Sequence, residues 1–264
     1  MKLLMLPALL AGLLLQIAPA TAATSASASI DWDSLNIQLI DLSGGLDAPT
    51  LTWTSFYGQT NTYAYTAHPY DYQYTWAERY DLSTALSSST VTALGQSAAT
   101  QDALAHTASS ASQEGTVPAS WGYGYSNYAY GGTYTTGYFT LTGNGVALFT
   151  MDWSVEGQGD VNDWNEYSYA YANLYGSFSD NLYNYGYANS GYGSYTGYAG
   201  DFAAEGTFAM AVVNTSPDGT TGSLQTYTYA YSQSPNAPVP EPETYALMLA
   251  GLGLVGVMVR RRKA

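Results

Sequence analysis

GVALFTMDWSVEG, residues 145–157, decides the fold. Its large apolar residues recur at every second position, so that Ala147, Phe149, Met151, Trp153 and Val155 share one side while Thr150, Asp152, Ser154 and Glu156 share the other. A period of two belongs to an extended strand with one face in a core and one toward water. Gly132 to Thr142 reads as a strand as well, and Gly143-Asn144-Gly145 between the two runs predicts a hairpin.

Working outward, Ser34 to Asp41 alternates Leu35, Ile37 and Leu39 with Asn36 and Gln38, until Gly44-Gly45 interrupts it. Thr50 to Phe56 alternates again, with Leu51 and Trp53 on one side, and Glu166 to Phe178 reads as a further strand. Thr207 to Val213 and Ser223 to Ser232 are expected to pair across Ser216-Pro217-Asp218-Gly219, which is strong turn chemistry. Between Leu82 and Gly115 the composition shifts to Ala, Ser, Thr and Gln, where a helix near Ala98 to Ala111 competes with a surface excursion. Many short strands with glycine-rich turns place the chain in the all-β class, as a single β-sandwich or jelly-roll-like domain.

Charge narrows the partners. The 264-residue chain carries −14; setting aside Lys2, Glu241, Glu243 and the four basic residues of the tail leaves the body at −17, with Arg79 its only basic residue. Such a surface repels phosphate backbones, so nucleic acid is excluded as a partner. Cysteine is absent, which removes disulfides, thiolate metal sites and cysteine nucleophiles.

Both ends read as processing signals. Lys2 precedes an apolar run from Leu3 to Leu15, and two A-x-A patterns, Ala18-Pro19-Ala20 and Ala20-Thr21-Ala22, follow it. That order is a secretory signal, with cleavage by signal peptidase expected at Ala22 or Ala23. At the other end Pro240 and Pro242 enclose Glu241, and their fixed φ biases the neighbouring residues to extended backbone. An apolar segment, about 245–259, then leads to Arg260, Arg261, Arg262 and Lys263, a basic stop expected to stay cytoplasmic. As a helix of 1.5 Å rise its apolar stretch is about 21 Å long, against about 30 Å for a bilayer core. Tyr245 at one interface and snorkelling arginines at the other extend its reach.

The sequence VPEPETYALM (239–248), with the glycine-bearing apolar segment and Arg260-Arg261-Arg262 behind it, resembles the PEP-CTERM sorting signal. The resemblance implies recognition of Pro240-Glu241-Pro242 by an exosortase, a membrane-embedded cysteine transpeptidase-like enzyme. It further implies transient anchoring in the inner membrane of a Gram-negative, exopolysaccharide-producing bacterium, then transfer to the cell surface or extracellular matrix. The expected organisation is thus a signal helix at 1–23, a tyrosine-rich body at 24–233, a linker at 234–239 and a sorting signal with its membrane helix at 240–264.

Tyrosine marks the body, most of the 27 falling after Trp121 in strings such as EYSYAYANLYG and LQTYTYAYS. Alternation puts Tyr227, Tyr229 and Tyr231 on one strand face. Three uses compete: half-buried packing with wet hydroxyls, a platform for sugar rings, and cross-β assembly in a matrix.

Catalytic chemistry finds little to stand on. His68 and His106 lie apart with no metal-ligand spacing, and Asp160 to Glu166 departs from a calcium loop at Trp164 and lacks its glycine. Asp152, Glu156, Asp163 and Glu205 could supply the carboxylate pair of a glycoside hydrolase, though chance pairs abound in so acidic a chain. Asn214-Thr215-Ser216 matches a glycosylation sequon. The expectation is a non-enzymatic exported protein of the surface or matrix with no catalytic residues, metal or cofactor; a carbohydrate-binding module on exopolysaccharide is the alternative, and a hydrolase a third.

Overall fold

The computed structural model describes residues 23–67, 70–92, 94–102, 107–114, 127–159, 167–180, 185–195, 200–216 and 218–234. They form β1 (Ala23–Asp41), β2 (Thr50–Thr66), β3 (Asp71–Arg79), β4 (Leu86–Val91), β5 (Gly95–Gln101), β6 (Thr107–Glu114), β7 (Asn127–Thr142), β8 (Gly145–Gln158), β9 (Tyr167–Asp180), β10 (Tyr185–Tyr195), β11 (Phe202–Asn214) and β12 (Thr220–Ser234). The all-β expectation holds: the strands make two antiparallel six-stranded sheets, ordered β11-β8-β1-β6-β5-β4 and β10-β9-β12-β7-β2-β3. The expected signal helix as far as residue 22, the membrane helix and the linker beyond Ser234 lie outside the described residues, while Ala23 opens strand β1.

The two sheets face each other, and the core between them has two textures. Toward one end large side chains fill it: Phe139, Leu141, Leu174 and Leu224 meet Ile30, Trp32, Phe149, Met151, Met210 and Val212, all buried. A bulge between Asp31 and Asn36 accompanies Trp32, whose indole Nε1–H donates across the sandwich to Thr226 Oγ1 at 2.9 Å. Toward the other end the buried residues are small and polar: Ser88, Thr90, Ser97 and Ala99 against Thr60, Thr62, Ala64 and Thr133. There the sheets come close and bond directly. Gln101 Nε2 donates to the carbonyls of Gln59 and Tyr134, and Ser97 Oγ donates to Tyr63 O. A Cβ added at Gly131 would stand 2.8 Å from both Ala98 O and Ser110 O, so only hydrogen fits between the layers.

Three expectations about pairing are corrected. β7 and β8 are not a hairpin: β8 pairs with β1 and β11, while β7 pairs with β2 and β12 in the opposite sheet. Gly143 adopts φ 75° and Asn144 is tied to the 42–47 loop through Asn144 N–H to Asp47 O and Leu42 N–H to Asn144 O, which carries the chain across the core. Likewise β11 and β12 lie in different sheets. Asn214 holds that second crossing by donating to Gly143 O and Ser216 O and accepting from Ser216 N–H and Thr220 Oγ1. Finally, the stretch expected to be a helix or a surface excursion is strands β5 and β6, paired with each other. Small side chains suit that site because the sheets leave no room for larger ones.

Candidate functional site

The outer face of the second sheet is a lattice of phenol rings. Alternation along β2, β7, β12 and β9 sends Thr, Ala and Ser inward and Tyr63, Tyr65, Tyr128, Tyr130, Tyr227, Tyr229, Tyr231, Tyr169 and Tyr171 outward, half-buried. Register places Tyr63 opposite Tyr130, Tyr130 opposite Tyr231, and Tyr231 opposite Tyr169. The rings then stack from strand to strand: Tyr63 on Tyr130 at 5.3 Å, Tyr130 on Tyr229 at 5.4 Å and Tyr229 on Tyr169 at 5.5 Å. Cross-strand aromatic pairs are a stabilising unit of such sheets.

The predicted ligand residues Tyr227, Tyr229 and Tyr231 sit together on this face, near its middle. Tyr229 lies between Tyr130 and Tyr171, with planes 24° and 23° apart. Tyr231 lies between Tyr128 and Tyr169, at 18° and 19°. Both flat sides of these two rings therefore meet neighbouring rings, which leaves ring edges and hydroxyls toward solvent. Burial pushes the Tyr63 phenol up to about 12, with the Tyr128 hydroxyl bonded beside it. Burial raises Tyr171 and Tyr229 further, reinforced by bonds to Tyr227 and Tyr169 respectively. These three phenols thus resist ionisation.

At the edge of the lattice the rings change character. β3 continues the same face with Tyr72, Tyr74, Trp76 and Glu78, opposite Tyr65, Tyr63, Asn61 and Gln59. Their exposures are 57% for Tyr72 and 52% for Tyr74 and Trp76, because among the described residues no strand pairs beyond β3. Tyr72 rests one face on Tyr63 and meets Tyr70 in a T-shaped contact at 6.1 Å, while Tyr74 and Trp76 stack on no other ring among the described residues. Glu78 receives hydrogen bonds from the Tyr57 and Tyr80 hydroxyls at 3.4 and 3.3 Å. Sequence reasoning missed this strip; its signal is the spacing Tyr-x-Tyr-x-Trp-x-Glu in YQYTWAE, which is less conspicuous than the denser strings after Trp121.

Arg79, the body's one basic residue, does not reach that surface. It is buried on the inner side of β3 and donates to the backbone carbonyls of Thr84 and Asp102, tying two loops together. Burial lowers its guanidinium pKa, which stays high enough to keep the charge.

The candidate hydrolase carboxylates are on the other sheet. Asp152, Glu156 and Glu205 are exposed on the outer side of β8 and β11, where Asp152 accepts from Thr207 Oγ1 and Glu156 from Ser27 Oγ. Asp163, His68, His106 and the Asp160–Glu166 loop lie outside the described residues. The sequon asparagine, Asn214, is fully buried and its amide is engaged in the crossing described above.

The fold and its lattice define an all-β sandwich with a stacked tyrosine face. A family profile then describes the tail: the PEP-CTERM protein-sorting motif matches residues 238–263, which include Pro240, Glu241 and Pro242 and the basic residues Arg260–Lys263. The motif marks an exported protein that transits the membrane and is sorted by an exosortase. The matched residues lie outside the described ones. No curated protein matches the chain.

Proposed function

We propose that the protein is a non-enzymatic component of the cell surface or extracellular matrix of a Gram-negative bacterium, working in association with exopolysaccharide. The chain would be held in the inner membrane by residues 245–259 and then processed at Pro240-Glu241-Pro242. One observation carries the reading: the sorting motif at 238–263 follows a body whose main surface feature is a tyrosine lattice built by four adjoining strands. Phenols supply rigid amphipathic contact at low entropy cost, which suits adhesion. The acidic body adds solubility by self-repulsion.

The test is fractionation of the producing bacterium before and after enzymatic digestion of its exopolysaccharide. Digestion should release the protein from the surface-associated fraction into the medium. Protein that is already free in the medium, or that stays bound to cells stripped of polysaccharide, contradicts the reading.

A further inference from the structure

We propose that β3 carries a glycan-binding strip, Tyr72-Tyr74-Trp76 ending on Glu78, whose ligand is a polysaccharide bearing free amino groups. The inference rests on the polysaccharide-associated reading above and names the glycan and the place.

The geometry of the rings selects β3. A sugar ring stacks its C–H face on the flat side of an aromatic ring, so the flat side must be open. In the middle of the lattice Tyr229 and Tyr231 have neighbouring rings against both sides. Among the described residues β3 is the edge of the sheet, and Tyr72, Tyr74 and Trp76 are more than half exposed. They stand two residues apart along one face, so adjacent rings are spaced by about 6.8 Å, a regular track for a linear chain of sugar rings.

Charge selects the amino sugar. The strip ends on Glu78, whose carboxylate is held by Tyr57 and Tyr80, and it belongs to a body at −17. The one cation of the body, Arg79, is buried and bonded to backbone carbonyls, so no arginine or lysine of the body is placed to meet a uronate. An ammonium group on the sugar finds a positioned carboxylate at one end and electron-rich ring faces along the track. A carboxylate on the sugar meets repulsion instead.

The experiment uses the full chain in mild detergent with three soluble probes: glucosamine oligomers, the same oligomers fully N-acetylated, and uronic acid oligomers. Calorimetry should show binding of the amino oligomers that weakens with added salt, at least several-fold weaker binding of the neutral ones and none of the uronates. Trp76→Ala and Tyr74→Ala should each lower affinity by on the order of tenfold. Val213→Ala, exposed on the outer face of the other sheet, should leave affinity unchanged. Hydroxyl-radical footprinting of the unmodified protein, free of any folding defect in a variant, should show Tyr72, Tyr74 and Trp76 protected by the amino oligomer.

Equal binding of the N-acetylated oligomer overturns the charge assignment. Binding that survives Trp76→Ala and Tyr74→Ala, without protection of these rings, overturns the strip and leaves the polysaccharide reading standing. Failure of all three probes to bind overturns the proposal; if exopolysaccharide digestion also leaves the protein's distribution unchanged, the underlying reading falls with it.

Discussion

Tyr63 and Tyr130 face each other on adjoining strands with ring centroids 5.3 Å apart and planes 9° from parallel. The stack keeps both phenols half out of water, and burial raises the pKa of each, that of Tyr63 to about 12. In the unfolded chain a phenol titrates near 10, so between about pH 10 and about pH 12 the unfolded state has lost a proton that folded Tyr63 retains. Stability is thus fully present below pH 10 and falls as pH rises through the folded value. Ultraviolet titration should show a class of phenols ionising above the ordinary range, with unfolding as they do. A single transition near pH 10 in a protein that stays folded would contradict the lattice.

The close approach of the sheets makes neighbouring glycines unequal. At Gly131 an added methyl meets backbone oxygens at 2.8 Å, which cannot move without separating the sheets. Gly131→Ala should cost about 1–3 kcal/mol, the usual range for overpacking. At Gly132 the nearest atom, at 2.7 Å, is the Asn61 side-chain oxygen, which can rotate away. Gly132→Ala should cost less than about 1 kcal/mol, near the intrinsic scale of strand preferences. Urea midpoints of the two variants check the order, and equal losses would refute the proposed contact.

Asn214 joins two of the places where the chain changes sheet, β7 to β8 and β11 to β12. Its amide donates to Gly143 O at 2.7 Å and accepts from Thr220 Oγ1 at 2.8 Å, fully buried. Asn214→Ala leaves carbonyls and a hydroxyl without partners and should cost about 2–4 kcal/mol, several times the net worth of one ordinary hydrogen bond. Hydrogen exchange should quicken first at 143–145 and 214–220. Loss confined to other parts of the sandwich would show that the asparagine does not hold the crossings.

How much of this the sequence discloses depends on side-chain size. Phe149, Met151 and Val155 announce β8 because large apolar residues at period two have few other uses, and all three are buried. Leu86, Ser88 and Thr90 are buried at the same period, yet alternating serines and threonines look the same in a strand as in a loop. Only the packing of β2 and β3, from the other sheet, over β4 turns them into core. Gly143-Asn144 states that the chain reverses; it does not state whether the next strand lies beside the last one or across from it, since both arrangements keep one face buried. The tyrosine lattice is legible one strand at a time. Which ring faces remain open depends on strand order, and strand order is a property of the whole sheet.

The sorting tail also makes a prediction. If Pro240-Glu241-Pro242 is what the exosortase reads, replacing the three with alanine, which restores two backbone N–H donors, should leave full-length protein in the inner membrane. Release of a shortened form at the normal level would show that recognition lies elsewhere in 238–263.

The most direct test of the whole account is the intact mass of the protein recovered from the surface and matrix of the producing cell. The account predicts a chain that begins at Ala23 or Thr24, at the start of β1, keeps the sandwich through Ser234, and has lost the apolar segment and Arg260–Lys263. A surface form whose mass includes the sequence through Ala264 would contradict it.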